Sequence, residues 1–284
     1  MCHLIYTDTF YMKRKWIRWV SWILLTPIIL FVILMVLLYV PPVQNLLRRE
    51  VTAYASKATG MQIQVERIDL RFPLNLLVRG VEVIQQPDTL LSLESLNVRV
   101  QAWPLIKGKV EVDEVTLSRV AVNSADLMEG MKIKGVLGRF FLQSHGVDLS
   151  NELAVINQVE LSDTHVQLLM NDTTTTPKDT TASAPINWKV ALHQLKLKNV
   201  SFSMQLPADS MRMTAHIGEA AINDAQADLK NQYYDLKKFL LSGTSASYDT
   251  GTAQPAEGFD ASHIAVRDIR IALDSLLYKG RDMN

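Results

Sequence analysis

Residues that could do chemistry are present in this sequence, but they are scattered along it. No pair of histidines has metal-ligand spacing, and the sequence contains no H-E-x-x-H, G-x-S-x-G, P-loop or G-x-G-x-x-G motif. The carboxylate pairs Asp113–Glu114 and Asp126/Glu129 are typical of a solvated face, and Gly135–Gly138 is typical of a strand or turn. We therefore predict that the chain is not an enzyme and takes no metal or cofactor. The histidines are His3, His145, His165, His193, His216 and His263.

The charge balance narrows the function further. The 284 residues include 29 lysines and arginines and 29 aspartates and glutamates, so the chain has no basic field and is not predicted to bind nucleic acid. The single cysteine, Cys2, excludes an intrachain disulfide. Packing alone must therefore hold the folded part together.

An uncharged apolar segment, Trp19–Val40, stands near the N-terminus. At about 1.5 Å of rise per residue, a helix of this length covers the roughly 30 Å hydrocarbon core of a bilayer, so we predict a transmembrane helix at 19–40. A cleaved signal peptide is the alternative, but its apolar region would be shorter. Four cations precede the segment, which predicts that residues 1–18 are cytoplasmic and that the bulk lies across the membrane. These topology determinants are Lys13, Arg14, Lys15 and Arg18.

The next segment, 41–60, has the pattern of an amphipathic juxtamembrane helix. Pro42 suits its start, and Gly60 suits the left-handed position after its end. We expect the apolar side to pack on the following sheet and the charged side to face away. The apolar set is Val43, Leu46, Leu47, Val51, Tyr54, Ala55 and Ala58, and the charged set is Arg48, Arg49, Glu50 and Lys57.

From Gln62 onward the hydrophobic period changes to two, and one pattern recurs: apolar-x-apolar-x-x-apolar-x-apolar. Alternation predicts strands with one buried face, and the double polar step shifts the phase by one residue. A bulge or bend at each step would keep the apolar side chains on one face, whereas a break or hairpin is the alternative. We predict a mainly β protein with a long curved antiparallel sheet over 61–284. The copies start at Ile63, Leu91, Val110, Ala154, Val190 and Ile264.

The sequence also supports several local predictions. Further strands are expected at Val81–Ile84, Val120–Asn123 and Val200–Leu206, and a tight connection at Trp103–Gly108. Residues 125–143 fit either helix or strand. Thr/Pro-rich 173–185 and Gly251–Gly258 are expected to be loops. Nothing near Asn284 would cap a sheet edge, so we expect an incomplete domain, and Met12 is an alternative start.

Residues 41–123 resemble the AsmA/TamB family of envelope proteins, most nearly the N-terminal part of the TamB-like proteins of Bacteroidota. The resemblance rests on the order of segments after a single anchor. These segments are Pro42–Leu47, Lys57–Gly60, Gln62–Phe72, Leu76–Val83, Thr89–Val98, Pro104–Val110 and Val115–Val120.

The resemblance implies an inner-membrane anchor and a periplasmic β-taco, a sheet folded lengthwise around an apolar groove. It implies a role in outer-membrane biogenesis, by phospholipid transport or by a translocation and assembly module that contacts an outer-membrane protein through a C-terminal region. The residue pattern leaves open whether the apolar side chains fill a closed core, and the resemblance favours a lipid-facing groove. The predicted lining is Ile63, Val65, Ile68, Leu70, Leu91, Leu93, Leu96, Val98, Val110, Val112, Val115, Leu117, Val190, Leu192, Leu195 and Leu197.

The sequence and the resemblance together favour two functional hypotheses. The first is a phospholipid conduit tied to the inner membrane. The second is a scaffold without lipid cargo that supports insertion of outer-membrane proteins. A short anchored bridge similar to the LptC type is a third hypothesis, which the chain length and the late strands disfavour.

Overall fold

A computed structural model of the protein describes residues 40–71, 74–106, 111–124, 130–148, 152–170, 187–207, 210–251 and 262–279, together with Thr26 and Val36. Most of the predicted transmembrane helix, all four topology determinants, Val110 and the loop at 173–185 lie outside these residues. Within the described part, no helix is both long enough and apolar enough to cross a bilayer.

The described chain is mainly β, as the alternating pattern predicts. Two helices are present, α1 (Pro41–Thr59) and the short α2 (Ala102–Ile106). Eleven strands form one sheet. They are β1 (Gln62–Arg71), β2 (Asn75–Gln85), β3 (Asp88–Val100), β4 (Val112–Asn123), β5 (Met131–Asp148), β6 (Leu153–Met170), β7 (Lys189–Leu206), β8 (Met211–Asp228), β9 (Tyr233–Thr250), β10 (His263–Leu273) and β11 (Leu276–Lys279).

The strands lie in the sheet in the order of the chain, from β1 to β10, and β11 pairs with β9 beside β10. Neighbouring strands are antiparallel with one exception, because β6 and β7 run parallel. The prediction of a wholly antiparallel sheet is therefore wrong at this pair. A parallel pair needs a crossover of about a dozen residues or more, and the segment between Met170 and Lys189 is long enough to supply it.

Several strands are longer than predicted. The separate strands expected at Val120–Asn123 and Val200–Leu206 are the second halves of β4 and β7, which continue through their double polar steps. Of the ambiguous residues 125–143, those from Met131 onward belong to strand β5, and part of the expected tight connection at Trp103 is helical. Strands β8 and β9 were not predicted.

The double polar steps mark a line that crosses the sheet, which we call the first crease. Leu93 pairs with Val81, and Ser95 pairs with Arg79. Glu94 of β3 and Gly80 of β2, which lie between these pairs, are therefore both left out of the ladder. Because each strand omits one residue at the same level, the register is kept while the side-chain phase reverses. The strands thus continue through the double polar steps, as predicted, and the omitted residues of most neighbouring strands lie on a shared line, whereas the register shifts at the β9–β10 pair. The first crease comprises Glu66, Gly80, Glu94, Arg119, Gly138, Asp163, Asn199, Gly218, Gly243 and Asp268.

A second crease crosses β6 and β7 six residues before the first crease, toward the N-terminal ends of both strands. It leaves Asn157 out of the β6 ladder and His193 out of the β7 ladder, and it divides the sheet into three strips. Bulges and omitted residues of this kind generally bend and twist a sheet, which is the effect expected of the two creases. The second crease comprises Asp113, His145, Asn157, His193, Asp224 and Lys237.

Left-handed backbone and close approach explain the residue types in the first crease. Positive φ angles recur there at Gly80, Arg119, Asp163 and Asn199, a conformation that glycine, asparagine and aspartate tolerate best. At Gly138 a glycine is favoured for a different reason, because a Cβ added there would lie 2.7 Å from Asp163 Cβ.

Helix α1 lies along β1 and ends as predicted. Gly60 is left-handed, with a φ of 70°, and its N–H donates to Ser56 O at 3.0 Å. The expected orientation is wrong at Arg48, because this side chain faces β1, where its guanidinium donates to Glu66 O at 2.7 Å. The physical reason is that β1 presents a sheet edge whose main-chain groups need polar partners.

Candidate functional site: an apolar sheet face

Four rows of apolar side chains cross the sheet at right angles to the strands. Residues that pair directly across neighbouring strands point to the same face, so the register defines each row. Row 1 is Ile63, Val83, Leu91, Val122, Gly135, Val166, Phe202, Ala215, Ala246 and Val266; row 2 is Val65, Val81, Leu93, Val120, Leu137, Thr164, Val200 and Ile217; row 3 is Ile68, Val78, Leu96, Leu117, Phe140, Leu161, Leu197, Ala220, Leu241 and Ile271; row 4 is Leu70, Leu76, Val98, Val115, Leu142, Val159, Leu195, Ile222, Phe239 and Leu273.

The creases keep these rows on one face. Rows 1 and 2 lie on one side of the first crease, and rows 3 and 4 lie between the two creases. Without the omitted residue, strict alternation would turn rows 3 and 4 to the opposite side of the sheet. The phase reversal at the first crease thus converts an irregular sequence pattern into one continuous apolar face of four rows.

The opposite face of the middle strip carries two rows that are polar throughout. Arg99 forms an ion pair there, with 3.0 Å between its guanidinium and Glu114 Oε2. A third row, at the level of Leu77, is mixed and includes Phe141 and Leu240. The polar rows are Arg67, Arg79, Ser95, Ser118, Arg139, Ser162, Lys198, Glu219 and Ser242, and Arg71, Asn75, Arg99, Glu114, Gln143, Gln158, Gln194, Asn223 and Lys238.

The apolar face is only partly shielded from solvent. Within rows 1 to 4, the buried members are Ile68, Leu93, Thr164 and Ala220, and every other side chain keeps some solvent contact. Exposure rises toward β10, where Val266 is 47% exposed. A closed core would remove these side chains from water, so the described residues form an open apolar surface.

A cavity of 610 Å³ lies against the middle strip between β7 and β10, and its lining is largely apolar. Four members of row 3 are among its lining residues, namely Leu197, Ala220, Leu241 and Ile271. The other eight alternate with them along the strands and include Lys198, Glu219 and Arg270, so the cavity is not confined to the apolar rows. Its volume falls in the range typical of sites for small organic ligands.

Polar side chains of the creases pair with one another across neighbouring strands. In the first crease Asn199 Nδ2 donates to Asp163 Oδ1 at 2.7 Å, and Arg119 forms an ion pair with Glu94. In the second crease the ring of His193 lies 3.1 Å from Asp224 Oδ1. These contacts stabilise the bends and leave the apolar rows free of charge.

One crease lysine has a perturbed pKa. Lys237 Nζ donates to Asp235 Oδ2 at 2.9 Å, and this hydrogen bond raises the pKa of the ammonium group above its ordinary value.

The register brings most of the predicted lining residues together. Row 1 contains Ile63 and Leu91, and rows 2 to 4 contain ten others. Leu192 lies beyond the second crease, where it pairs with Ile156 and Ala225, while Val190 pairs with Ala154 and Val112 with Val100. Val110 lies outside the described residues. The members found in rows 2 to 4 are Val65, Leu93, Ile68, Leu96, Leu117, Leu70, Val98, Val115, Leu195 and, in row 3, Leu197.

Sequence reasoning missed the contributions of β5, β8 and β9 to this face. The same spacing is present in β8 at Ala220, Ile222, Ala225 and Ala227, but alanine gives a weak hydropathy signal. In β9 it is present at Tyr234, Leu236, Phe239 and Leu241. A search for the spacing that treated alanine and tyrosine as apolar would have found both strands.

Metal chemistry has no support in this part of the molecule. Among the described residues, no cluster of histidine, cysteine, aspartate and glutamate side chains could hold a metal ion. Comparison of the chain with models of known protein families finds no match, and comparison with curated proteins finds none either.

Proposed function

We propose that this chain is an inner-membrane-anchored periplasmic protein of the AsmA/TamB type, and that its apolar sheet face carries phospholipid acyl chains toward the outer membrane. The observation that carries the proposal is the set of four rows, which stay apolar from strand to strand while most of their side chains remain in contact with solvent.

The energetic argument concerns the aqueous gap between membranes. Each CH₂ group removed from water gains roughly 0.8 kcal/mol, so a two-chain lipid cannot cross water freely. An apolar face lets the chains stay out of water while the polar face keeps the protein hydrated. Continuous rows, in place of isolated pockets, give the lipid equivalent contacts at each strand along its path.

The four rows are longest in the direction across the strands. Neighbouring strands are about 4.8 Å apart, so the nine steps from β1 to β10 carry rows 3 and 4 over about 43 Å. The two creases limit the width of the middle strip to a few residues per strand. The face is therefore long and narrow, as an acyl chain requires.

Photo-crosslinking in cells tests the lipid path. A crosslinker at Val115 or Leu195, both in row 4, should label phospholipid. The matched controls are Glu114 and Gln194, which are adjacent in sequence and lie in a polar row of the opposite face. Equal labelling at paired positions would contradict the proposal.

The second candidate function is a scaffold for outer-membrane protein assembly that carries no lipid. One observation favours it: on the side away from β9, the described part of the chain gives β10 and β11 no partner strand, and an extended segment could add there. Native mass spectrometry of the purified full chain separates the two functions, since co-purified phospholipid is expected only for the conduit.

A further inference from the structure

Helix α1 uses its polar side to cover the edge of β1. Arg48 donates to Glu66 O at 2.7 Å, Gln44 Nε2 donates to Leu70 O at 3.2 Å, and Ser56 Oγ accepts from Ile63 N at 3.1 Å. These three positions follow one face of the helix, which runs antiparallel to β1. The side that an amphipathic helix normally gives to water is thus occupied by protein.

The apolar side of α1 is consequently turned outward. Leu46 is 58% exposed, Val51 is 48% exposed and Tyr54 is 78% exposed. At about 100° per residue, the three side chains fall within an arc of about 140°, which is centred about 130° from Arg48. The exposed side chains of Glu50 and Lys57 lie in the same arc, beside Leu46. No described part of the chain covers this stripe.

The position of α1 in the chain identifies what covers the stripe. The helix begins at Pro41, directly after the uncharged segment Trp19–Val40, so the anchor would deliver its first turn to the bilayer surface. Exposed basic side chains at Arg49 and Lys57 complete the composition typical of a helix lying in the interfacial layer. We propose that α1 lies in the plane of the membrane surface with Leu46, Val51 and Tyr54 inserted below the headgroups.

This inference rests on the proposed anchoring, but not on lipid transport. It places β1, which α1 covers along its length, parallel to the membrane surface. Rows 1 to 4 run at right angles to β1, so they would rise from the bilayer with their first members, including Ile68 and Leu70, at headgroup level. The apolar face would thus begin where lipid is available.

The test measures membrane depth along α1 in the full-length protein. In a Cys2→Ser background, a nitroxide is attached at Leu46→Cys or Tyr54→Cys, and at Asn45→Cys as the control, which is exposed beside Leu46 but lies off the stripe. In nanodiscs of phosphatidylethanolamine and phosphatidylglycerol, a water-soluble nickel chelate should collide roughly threefold less with labels at Leu46 and Tyr54 than with the label at Asn45.

The outcomes separate this inference from the function it rests on. If the chain does not float with vesicles, both the anchoring and the interfacial position are overturned. If it floats and all three labels meet the chelate equally, only the interfacial position is overturned. Protected labels without lipid crosslinks in row 4 would support the position of α1 and contradict the conduit.

Discussion

At the scale of single residues, the creases decide which side chains belong to the apolar face. The sequence pattern indicated that something happens at each double polar step, because the apolar phase changes there. It could not show that omitted residues of neighbouring strands lie at the same level, since that depends on pairing between distant segments. The requirement for small residues at the first crease, as at Gly138, is likewise visible only once Asp163 is placed beside it.

Gly138→Ala should destabilise the protein. A Cβ at this position would lie 2.7 Å from Asp163 Cβ and 3.1 Å from Asp163 O, so the β5–β6 crease must shift, at a cost of about 1–3 kcal/mol. The control is Gly135→Ala in the same strand, where the nearest atom would be His165 O at 3.5 Å. Thermal unfolding in detergent should show a lower melting temperature for the first variant only; similar losses in both would contradict the close approach.

Asn199→Val should also destabilise, for a backbone reason. Asn199 has a φ of 52°, which a β-branched residue adopts only with strain of about 1–2 kcal/mol, and the change also removes the hydrogen bond to Asp163. Ser203→Val adds the same side chain further along β7 as a control. Urea unfolding should give a lower midpoint for the Asn199 variant, and Asn199→Gly should recover part of the loss.

At the scale of elements, strands rich in leucine and valine were predictable and strands rich in alanine, serine or tyrosine were not. Strand β8 places Ala220 in row 3 beside Leu197 and Leu241, so its place on the apolar face comes from pairing and not from its own hydropathy. The orientation of α1 was predicted wrongly for a related reason. A hydrophobic-face argument assumes that a helix packs on an apolar surface, whereas α1 packs on the main-chain groups of an edge strand.

Arg48→Ala should loosen the edge strand. The variant removes a charged donor from Glu66 O, and such hydrogen bonds contribute about 1.5–3 kcal/mol when shielded, less at this partly exposed site. Amide hydrogen exchange in β1 should become faster. Arg49→Ala removes an exposed charge from the next position and should leave the exchange unchanged; equal effects of both variants would show that the contact with Glu66 is unimportant.

At the scale of the whole molecule, the mainly β architecture and a single apolar face followed from alternation, but the open form of the sheet did not. Alternation shows which residues share a face, yet it is the same for a closed core and an open surface. Among the described residues, Val115 and Leu195 keep partial contact with solvent, which favours an open surface. Strand order and the parallel β6–β7 pair also required the structure, because the length of a connection permits a crossover without requiring one.

A charge placed in the middle of the face should interrupt the path. Leu117→Arg puts a cation into row 3 between Leu96 and Phe140, where desolvating it opposes passage of an acyl chain. Phospholipid bound to the purified full chain should fall roughly tenfold, the effect of about 1.4 kcal/mol. Ser118→Arg, on the polar face of the same strand, is the control and should bind lipid as the parent does. An unchanged lipid content for Leu117→Arg would argue for the scaffold.

Because the rows run across the strands, the length and the width of the apolar face depend on different features of the sheet. The width depends on how many rows each strand contributes on the two sides of the first crease, and the length depends on how many strands are paired. Duplication of one antiparallel hairpin would therefore lengthen the face by about 10 Å without altering its cross-section or the site at α1. Under the proposed conduit function, related chains would span aqueous gaps of different depth by having different numbers of hairpins, with no change to the apolar surface itself.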